Sequence, residues 1–257
     1  MKLMPFLSRT FLSRKGGGVF SIFLFFASWV SAPGASAQLR DGVNLPDHDE
    51  KFYHLGLALI YNSSHLQVSA HPQFLKTDTV LSINPVNTGG FGVAGMHTFT
   101  FSKHWEFRIV FPELQFSYRN LQYSLNPNYP LSQGDQLLAT KRIESILLGF
   151  PVQVKFLSDR IDNFKVYMLG GMNYQYDLAS NASARKAGDL VKLQPTNLSI
   201  EAGLGFQFFF PVFILSPELK FSDGIMNIHA RDPNLKYSNV IDKLKSRMIV
   251  FSLIFEG

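Results

Sequence analysis

Residues 53–62 read Tyr-His-Leu-Gly-Leu-Ala-Leu-Ile-Tyr-Asn, and this stretch decides the fold that the sequence predicts. Because successive side chains of a β-strand point to opposite faces, one face of the segment is apolar with a tyrosine at each end. The other face carries small or polar residues, namely His54, Gly56, Ala58 and Asn62. This pattern is typical of a strand that crosses a membrane with its apolar face toward lipid and its aromatic residues at the two interfaces.

Seven later segments repeat the alternation of apolar with small or polar residues. They span about 90–101, 105–118, 143–156, 164–178, 198–210, 212–222 and 247–256. In the second of these later segments the alternation shifts by one residue at Pro112. Proline in a strand is best tolerated at a bulge or an edge, so the shift predicts a β-bulge.

Charged residues fall on one face of these segments. The predicted outward face carries no Asp, Glu, Lys or Arg. His97 is the one residue on it that does not suit contact with lipid. A basic residue at mid-depth of a lipid-facing surface costs roughly 2–4 kcal/mol, which explains the exclusion. The predicted inward face holds a group that we name the lumen charge cluster: Glu106, Arg108, Glu113, Lys155, Glu201, Glu218 and Lys220. Within it, Glu106 with Arg108 and Glu218 with Lys220 lie at positions i and i+2, either as neutralising pairs or as catalytic or gating pairs.

The connections between segments alternate in length, as they do in outer-membrane barrels, which have short periplasmic turns and long external loops. Short connections at 102–104, 157–163 and 210–212 alternate with predicted loops at about 63–89, 120–142, 179–197 and 223–246. Only a closed sheet lets strands satisfy every backbone polar group in hydrocarbon. The sequence therefore predicts an all-β, eight-stranded antiparallel up-and-down transmembrane barrel of the outer membrane over 52–257, with both termini periplasmic.

The N-terminal region predicts export. Residues 1–37 combine four basic residues, an apolar run at 19–30 and Ala35-Ser36-Ala37, as in a cleaved signal peptide. Residues 38–51 are predicted to be a polar periplasmic lead-in. The whole chain has a net charge of +5, but removing the four basic residues of the signal from the chain's 24 leaves 20 against 19 acidic residues. This balance gives no support for nucleic-acid binding, and a chain without cysteine forms no disulfides.

Two local groups offer alternatives that involve specific chemistry. The run Asp47-His48-Asp49-Glu50 contains metal-ligating residue types, but its place before the first strand favours a solvated polar tail. A lipid-modifying enzyme would need a serine beside a histidine and an acidic residue. His65, His71 and His229 lie in predicted loops with serines nearby, among them Ser63, Ser64 and Ser69, but no spacing marks a triad. We therefore predict no catalytic, cofactor-binding or metal-binding residues, no cofactor and no small-molecule substrate.

Three stretches resemble one known family. They are Leu55-Gly56-Leu57 with Asn62, the run Ser216-Pro217-Glu218-Leu219-Lys220-Phe221-Ser222 followed by Gly224 and Asn227, and Phe251-Ser252-Leu253-Ile254-Phe255-Glu256. They resemble the PorT family, also called SprT, which comprises outer-membrane barrels of the type IX secretion system in Gram-negative bacteria. The resemblance implies a non-enzymatic accessory or assembly component needed to export cargo such as proteases and adhesins. Its partners would be outer-membrane lipid and other secretion-system proteins, contacted through loops 63–89 and 223–246.

Other functions remain open at this stage. A general small outer-membrane barrel with a structural or adhesive role would show the same alternation. A lipid-modifying outer-membrane enzyme is a further alternative, and a soluble ligand-binding barrel is another. Co-purification with other secretion proteins would favour the export role over the structural one. Lipid turnover by the pure protein, lost when a loop histidine is replaced, would indicate the enzyme, and extraction without detergent would indicate the soluble barrel.

Overall fold

The computed structural model describes residues 42–72, 80–128, 136–180, 191–232 and 235–257. The predicted signal peptide and the first residues of the lead-in lie outside this part of the chain. Within the described residues the backbone forms nine strands: β1 Tyr53–Ala70, β2 Val80–Val86, β3 Thr88–Ser102, β4 Trp105–Leu125, β5 Leu138–Leu157, β6 Phe164–Asp177, β7 Thr196–Phe209, β8 Ile214–Gly224 and β9 Ile241–Glu256.

The strands form a closed antiparallel ring. Each of β3 to β8 pairs with the next strand along the chain, and β1 pairs with both β3 and β9. The short strand β2 pairs with residues 120–125 of β4, whereas β3 pairs with residues 105–116 of the same strand. Strands β2 and β3 therefore lie end to end and occupy one position in the ring. The nine strands thus form an eight-stranded ring. The predicted fold class is confirmed.

The alternation of the first segment is confirmed by burial. Leu57 is 70% exposed, whereas its neighbours Gly56 and Ala58 face inward and are buried. The predicted bulge is present as well, because the β4–β5 register shifts between Ile109 and Glu113. His97 does lie on the outward face, and a hydrogen bond of 2.8 Å joins its Nδ1 to the Tyr53 hydroxyl. The outward histidine is thus satisfied by the aromatic residue beside it.

The long connections differ from the prediction, because several strands continue into them. Residues 63–70, 80–86, 120–125, 138–142 and 241–246 were predicted as loop and are strand. The apolar face changes sides in these extensions. On β1, Ser63, His65 and Gln67 face outward, while Leu66 points inward and is buried. Outward apolar residues therefore end before the strand does, and the predicted strands are too short.

An apolar core fills the interior of the strand extensions. A single turn of α-helix, Lys236–Asn239, lies above it, and the rings of Tyr237 and Tyr123 pack edge to face with centroids 4.8 Å apart. No helix in the described residues is long and apolar enough to cross a membrane. We call this end of the barrel, with the long connections, the loop end. Its core comprises Leu66, Val80, Leu121, Tyr123, Leu125, Ile143, Val191, Leu193, Ile228, Tyr237, Val240, Ile241 and Leu244.

The opposite end, where the short connections lie, is the turn end, and the lead-in folds into it. Pro46–Glu50 forms a 3-10 helix, and His48 within it is only 4% exposed. Asp49 forms an ion pair of 2.8 Å with Lys165, and Asn44 donates from its side chain to the carbonyl oxygen of Phe209 (3.0 Å). The prediction of a solvated polar tail is therefore wrong. These contacts join residues more than a hundred positions apart, and no local pattern reveals them. We call residues 43–50 the N-terminal plug.

Candidate functional site in the barrel lumen

The structure buries all seven residues of the lumen charge cluster. Arg108 lies at the centre of one group and has a fully buried side chain. Its Nη1 donates to Glu218 Oε2 at 2.7 Å, and its Nη2 donates to Glu256 Oε1 at 3.4 Å. The Tyr167 hydroxyl donates to the same Glu218 oxygen at 2.7 Å. This group joins strands β4, β6, β8 and β9 across the lumen.

A second ion pair lies beside it. Lys155 Nζ donates to Glu106 Oε2 at 2.6 Å. The same ammonium lies 4.4 Å from the centroid of the Tyr167 ring, a cation–π arrangement. Tyr167 therefore links the two groups, because its hydroxyl serves one and its ring serves the other.

The third group is centred on Glu201 and Glu113. Glu201 accepts from Gln153 (2.8 Å) and Asn173 (2.9 Å), and Lys220 lies 3.5 Å from one of its oxygens. The Asn173 amide also donates to Glu113 at 3.0 Å. Gln115 donates to the other oxygen of Glu113 at 2.9 Å. Side-chain amides thus share the carboxylates, as buried charges require.

The ion pairs differ from those expected at positions i and i+2. Arg108 pairs with Glu218, and Lys155 pairs with Glu106, so each pair joins two strands rather than two residues of one strand. Tyr167 was not among the residues predicted for the lumen charge cluster. The alternation of residues in 164–178 places Tyr167 on the inward face with Lys165, so its position in the lumen could have been predicted.

The arrangement ties strands together and leaves little room for transport. The apolar core fills the loop end, and the N-terminal plug occupies the turn end, where the His48 and His54 rings lie 4.6 Å apart. Between these two ends, the carboxylates of the cluster are held by cations or amides. We read the cluster as a set of buried cross-links between strands.

The two alternatives with specific chemistry find little support in the geometry. In the run Asp47-His48-Asp49-Glu50, His48 turns inward while Asp49 forms ion pairs, and the described residues contain no group of three metal-ligating side chains. Of the loop histidines, His229 Nε2 lies 2.9 Å from Ser238 Oγ. Both residues are buried, and Ser238 Oγ also accepts from the backbone N–H of Asp232 (3.1 Å). The pair therefore holds a loop together and is closed to a lipid substrate.

Two glycines, Gly205 on the inward face and Gly170 on the outward face, provide a test of how tightly the lumen is packed. A Cβ at Gly205 would overlap the ring of Tyr167, whereas a Cβ at Gly170 would meet only the carbonyl oxygen of Glu201, at 4.0 Å. We expect Gly205→Ala to lower the free energy of unfolding by about 1–3 kcal/mol, since overpacking forces strained rotamers. Gly170→Ala should change it by less than about 0.5 kcal/mol. Guanidinium unfolding in lipid vesicles measures both, and equal effects would contradict the packing described.

The N-terminal plug should respond to pH through His48. Burial, with a smaller contribution from neighbouring His54, lowers the pKa of His48 from 6.5 to about 4. The docked plug therefore keeps a neutral imidazole, and docking is fully stable above pH 6.5. As the pH falls from 6.5 toward 4, an undocked plug gains a proton that the docked plug resists, so docking weakens.

A fluorescent dye on Val43→Cys would report plug docking, because the chain has no other cysteine. We expect the dye to become more mobile between pH 6.5 and 4. His48→Phe, which keeps a ring against Phe209, should remove this change. An unchanged response in His48→Phe would assign it to another group.

Comparison with known proteins identifies the family. Residues 37–230 match the family described as outer membrane protein beta-barrel domain. The chain belongs to this family. Membership places the protein in the outer membrane of a Gram-negative bacterium, and the outward apolar face of its barrel therefore contacts membrane lipid. The alternative of a soluble ligand-binding barrel does not fit this finding.

Three solved structures of outer-membrane proteins are similar to the chain at low identity. OprG from Pseudomonas aeruginosa is 16% identical with a TM-score of 0.44, over 79% of this chain and 92% of that chain. Ail from Yersinia pestis (10%, TM-score 0.35) covers 80% of this chain and all of its own, and Neisserial surface protein A (11%, TM-score 0.37) covers 78% and 95%. At these values the likenesses carry no argument about function. No curated protein matches the chain.

Proposed function

We propose that this outer-membrane barrel is not an enzyme, conducts no solute, and acts by binding other proteins at its loop end. The observation that carries the proposal is that side chains fill both ends of the lumen, which leaves the outer surface for function. In its simplest form this is a structural or adhesive role at the cell surface. The orientation that goes with it has both termini in the periplasm and the loop end outside the cell.

Exposed apolar side chains at the loop end support a role in protein binding. Leu81 and Leu138 are each more than half exposed. They flank the end of β4, where Ser124 pairs with both Ser82 and Leu138. Ile225 and Met226, just beyond β8, are also exposed. Exposed apolar groups at a rigid end are typical of interaction surfaces.

Cysteine labelling of whole cells tests the orientation without background, because the chain has no cysteine. Met226→Cys, at the loop end, should react with a membrane-impermeant maleimide. Val212→Cys, which lies in a short connection at the turn end and is 80% exposed, should react only after the cells are broken. The reverse labelling would overturn the orientation.

Planar bilayers provide the second test, and we expect no steps of ion conductance from the purified protein.

A more specific proposal is that the protein takes part in type IX secretion. It would act as an accessory or assembly component for the export of proteases and adhesins. Its support is the resemblance of Ser216–Ser222 and the two other stretches to the PorT family. Deleting the gene should trap cargo proteins in the periplasm. Pull-down from detergent-solubilised outer membranes should recover other secretion proteins with the barrel. Normal secretion in the deletion strain would leave the structural or adhesive role in its place.

A further inference from the structure

A row of basic side chains lies on the outward face of β9, directly above the apolar face. Alternate residues Lys243, Lys245 and Arg247 point outward, and the next outward residues toward the turn end are Ile249 and Phe251. Residues two apart on a strand are about 7 Å apart, so the row extends for about 14 Å. Basic side chains are therefore stacked at the edge of the lipid-facing surface, where lipid headgroups begin.

The row carries excess positive charge. Arg247 donates through Nε to Asp223 at 2.8 Å, whereas neither Lys243 nor Lys245 forms an ion pair within the described part of the chain. In the neighbouring strand β1, Gln67 and Ser69 pair in register with the two lysines, and both are uncharged. Two ammonium groups are thus available to an anion.

Arg247 is held in position beside the lysines. Its guanidinium carbon lies 5.4 Å from the centroid of the Phe221 ring, and the amide oxygen of Gln67 accepts from the guanidinium in the orientation that satisfies both groups. A hollow of about 220 Å³ opens next to it. The residues that line this hollow are Ser63, His65, Asn87, Phe221, Arg247 and Ile249.

A second, apolar hollow of about 570 Å³ lies on the wall of the barrel. Two small residues, Ala202 and Gly203, are among those that line it. Phe221 and Ile249 line both hollows, so the apolar hollow adjoins the hollow beside Arg247. A polar head with a long apolar chain fits such a pair of adjoining sites.

We propose that this surface binds a phosphorylated, acylated glycolipid of the outer leaflet, of the lipid A type. Its phosphate would lie on Lys243 and Lys245, and one acyl chain would lie in the apolar hollow below Phe221. The placement in the outer leaflet rests on the proposed orientation. The contacts themselves depend on charge and shape alone, since basic residues at a membrane surface attract anionic headgroups.

The headgroup contact can be tested with full-length protein in non-ionic detergent. The probes are bisphosphorylated lipid A, the same lipid with its phosphates removed, and phosphatidylglycerol, with binding measured by native mass spectrometry. Each lysine near a membrane surface contributes about fivefold to affinity, so Lys243→Gln with Lys245→Gln should weaken lipid A binding about 25-fold. The control is Lys51→Gln with Lys103→Gln, two exposed lysines at the turn end, which should bind as the native protein does.

The acyl-chain contact needs a separate variant. Ala202→Leu fills the apolar hollow, and displacing about two methylene groups of the lipid should weaken binding about 15-fold. Val93→Leu enlarges another outward residue, which does not line the hollow, and should leave binding unchanged. Equal binding of dephosphorylated lipid A or of phosphatidylglycerol, or equal losses in either control, would overturn the proposal. The cysteine-labelling experiment decides the orientation independently.

Discussion

Replacing Arg108 with alanine should lower the free energy of unfolding by about 3–5 kcal/mol, because it leaves buried carboxylates without their cation. Glu218 and Glu256 both accept hydrogen bonds from Arg108, and all three side chains are shielded from solvent. Tyr167 would still donate to Glu218, but a neutral hydroxyl compensates only part of the lost charge. The variant is therefore expected to fold in low yield and to lose its resistance to heat in detergent.

The measurement is guanidinium unfolding from lipid vesicles, with a matched control on the same barrel. Arg142 forms an exposed ion pair of 3.3 Å with Glu144. Arg142→Ala should cost less than about 1 kcal/mol, as exposed ion pairs do. The double variant Arg108→Met and Glu218→Leu should recover part of the loss, since it removes both charges of the closest pair. An Arg108→Ala variant no less stable than Arg142→Ala would contradict the structural role of the cluster.

Replacing Leu57 with arginine should destabilise the barrel by about 2–4 kcal/mol, because it places a charge at mid-depth of the lipid-facing surface. Leu57 lies at the middle of the apolar face of β1, between Tyr53 and Tyr61, and is 70% exposed in the isolated chain. In water such an exposed position would tolerate arginine with little cost. The size of the effect therefore reports what covers this face.

Ser69→Arg is the matched control, since Ser69 faces outward on the same strand but lies in the extension beyond the apolar face. It should change the free energy of unfolding in vesicles by less than about 1 kcal/mol, as interfacial positions do. Equal effects of the two arginines would mean that lipid does not cover the face around Leu57.

The local alternation predicted the barrel because it depends on nothing beyond strand geometry. Leu57 and Phe221 were placed outward, and Arg108 and Glu218 inward, from parity alone. The rule that apolar residues face outward failed where the strands extend beyond the lipid. Above Tyr61 the strand β1 leaves the lipid, and Leu66 rather than Ser63 becomes the apolar contact with the interior. The rule of apolar residues outward therefore ended the predicted strand eight residues too early.

The pairing inside the lumen could not be predicted from the sequence. Parity brings Arg108 into the interior, but the carboxylate that it meets depends on barrel closure, and Glu218 lies 110 positions away. The N-terminal plug is a similar case. Asp47 to Glu50 have the composition of a solvated tail, but tertiary contacts, among them those of Asp49 with Lys165 and of His48 with His54, hold them in the turn end.

The sequence by itself determined that this chain forms membrane-spanning strands and which face of each strand meets lipid. The physical reason is that strand geometry turns alternate side chains to opposite faces, and lipid requires apolar residues on the face that it covers, in every strand separately. Only the tertiary structure decided which charges pair, how the two ends of the lumen are filled, and that Lys243 and Lys245 lie above an apolar hollow. These features depend on residues from distant strands, and ring closure alone brings them together.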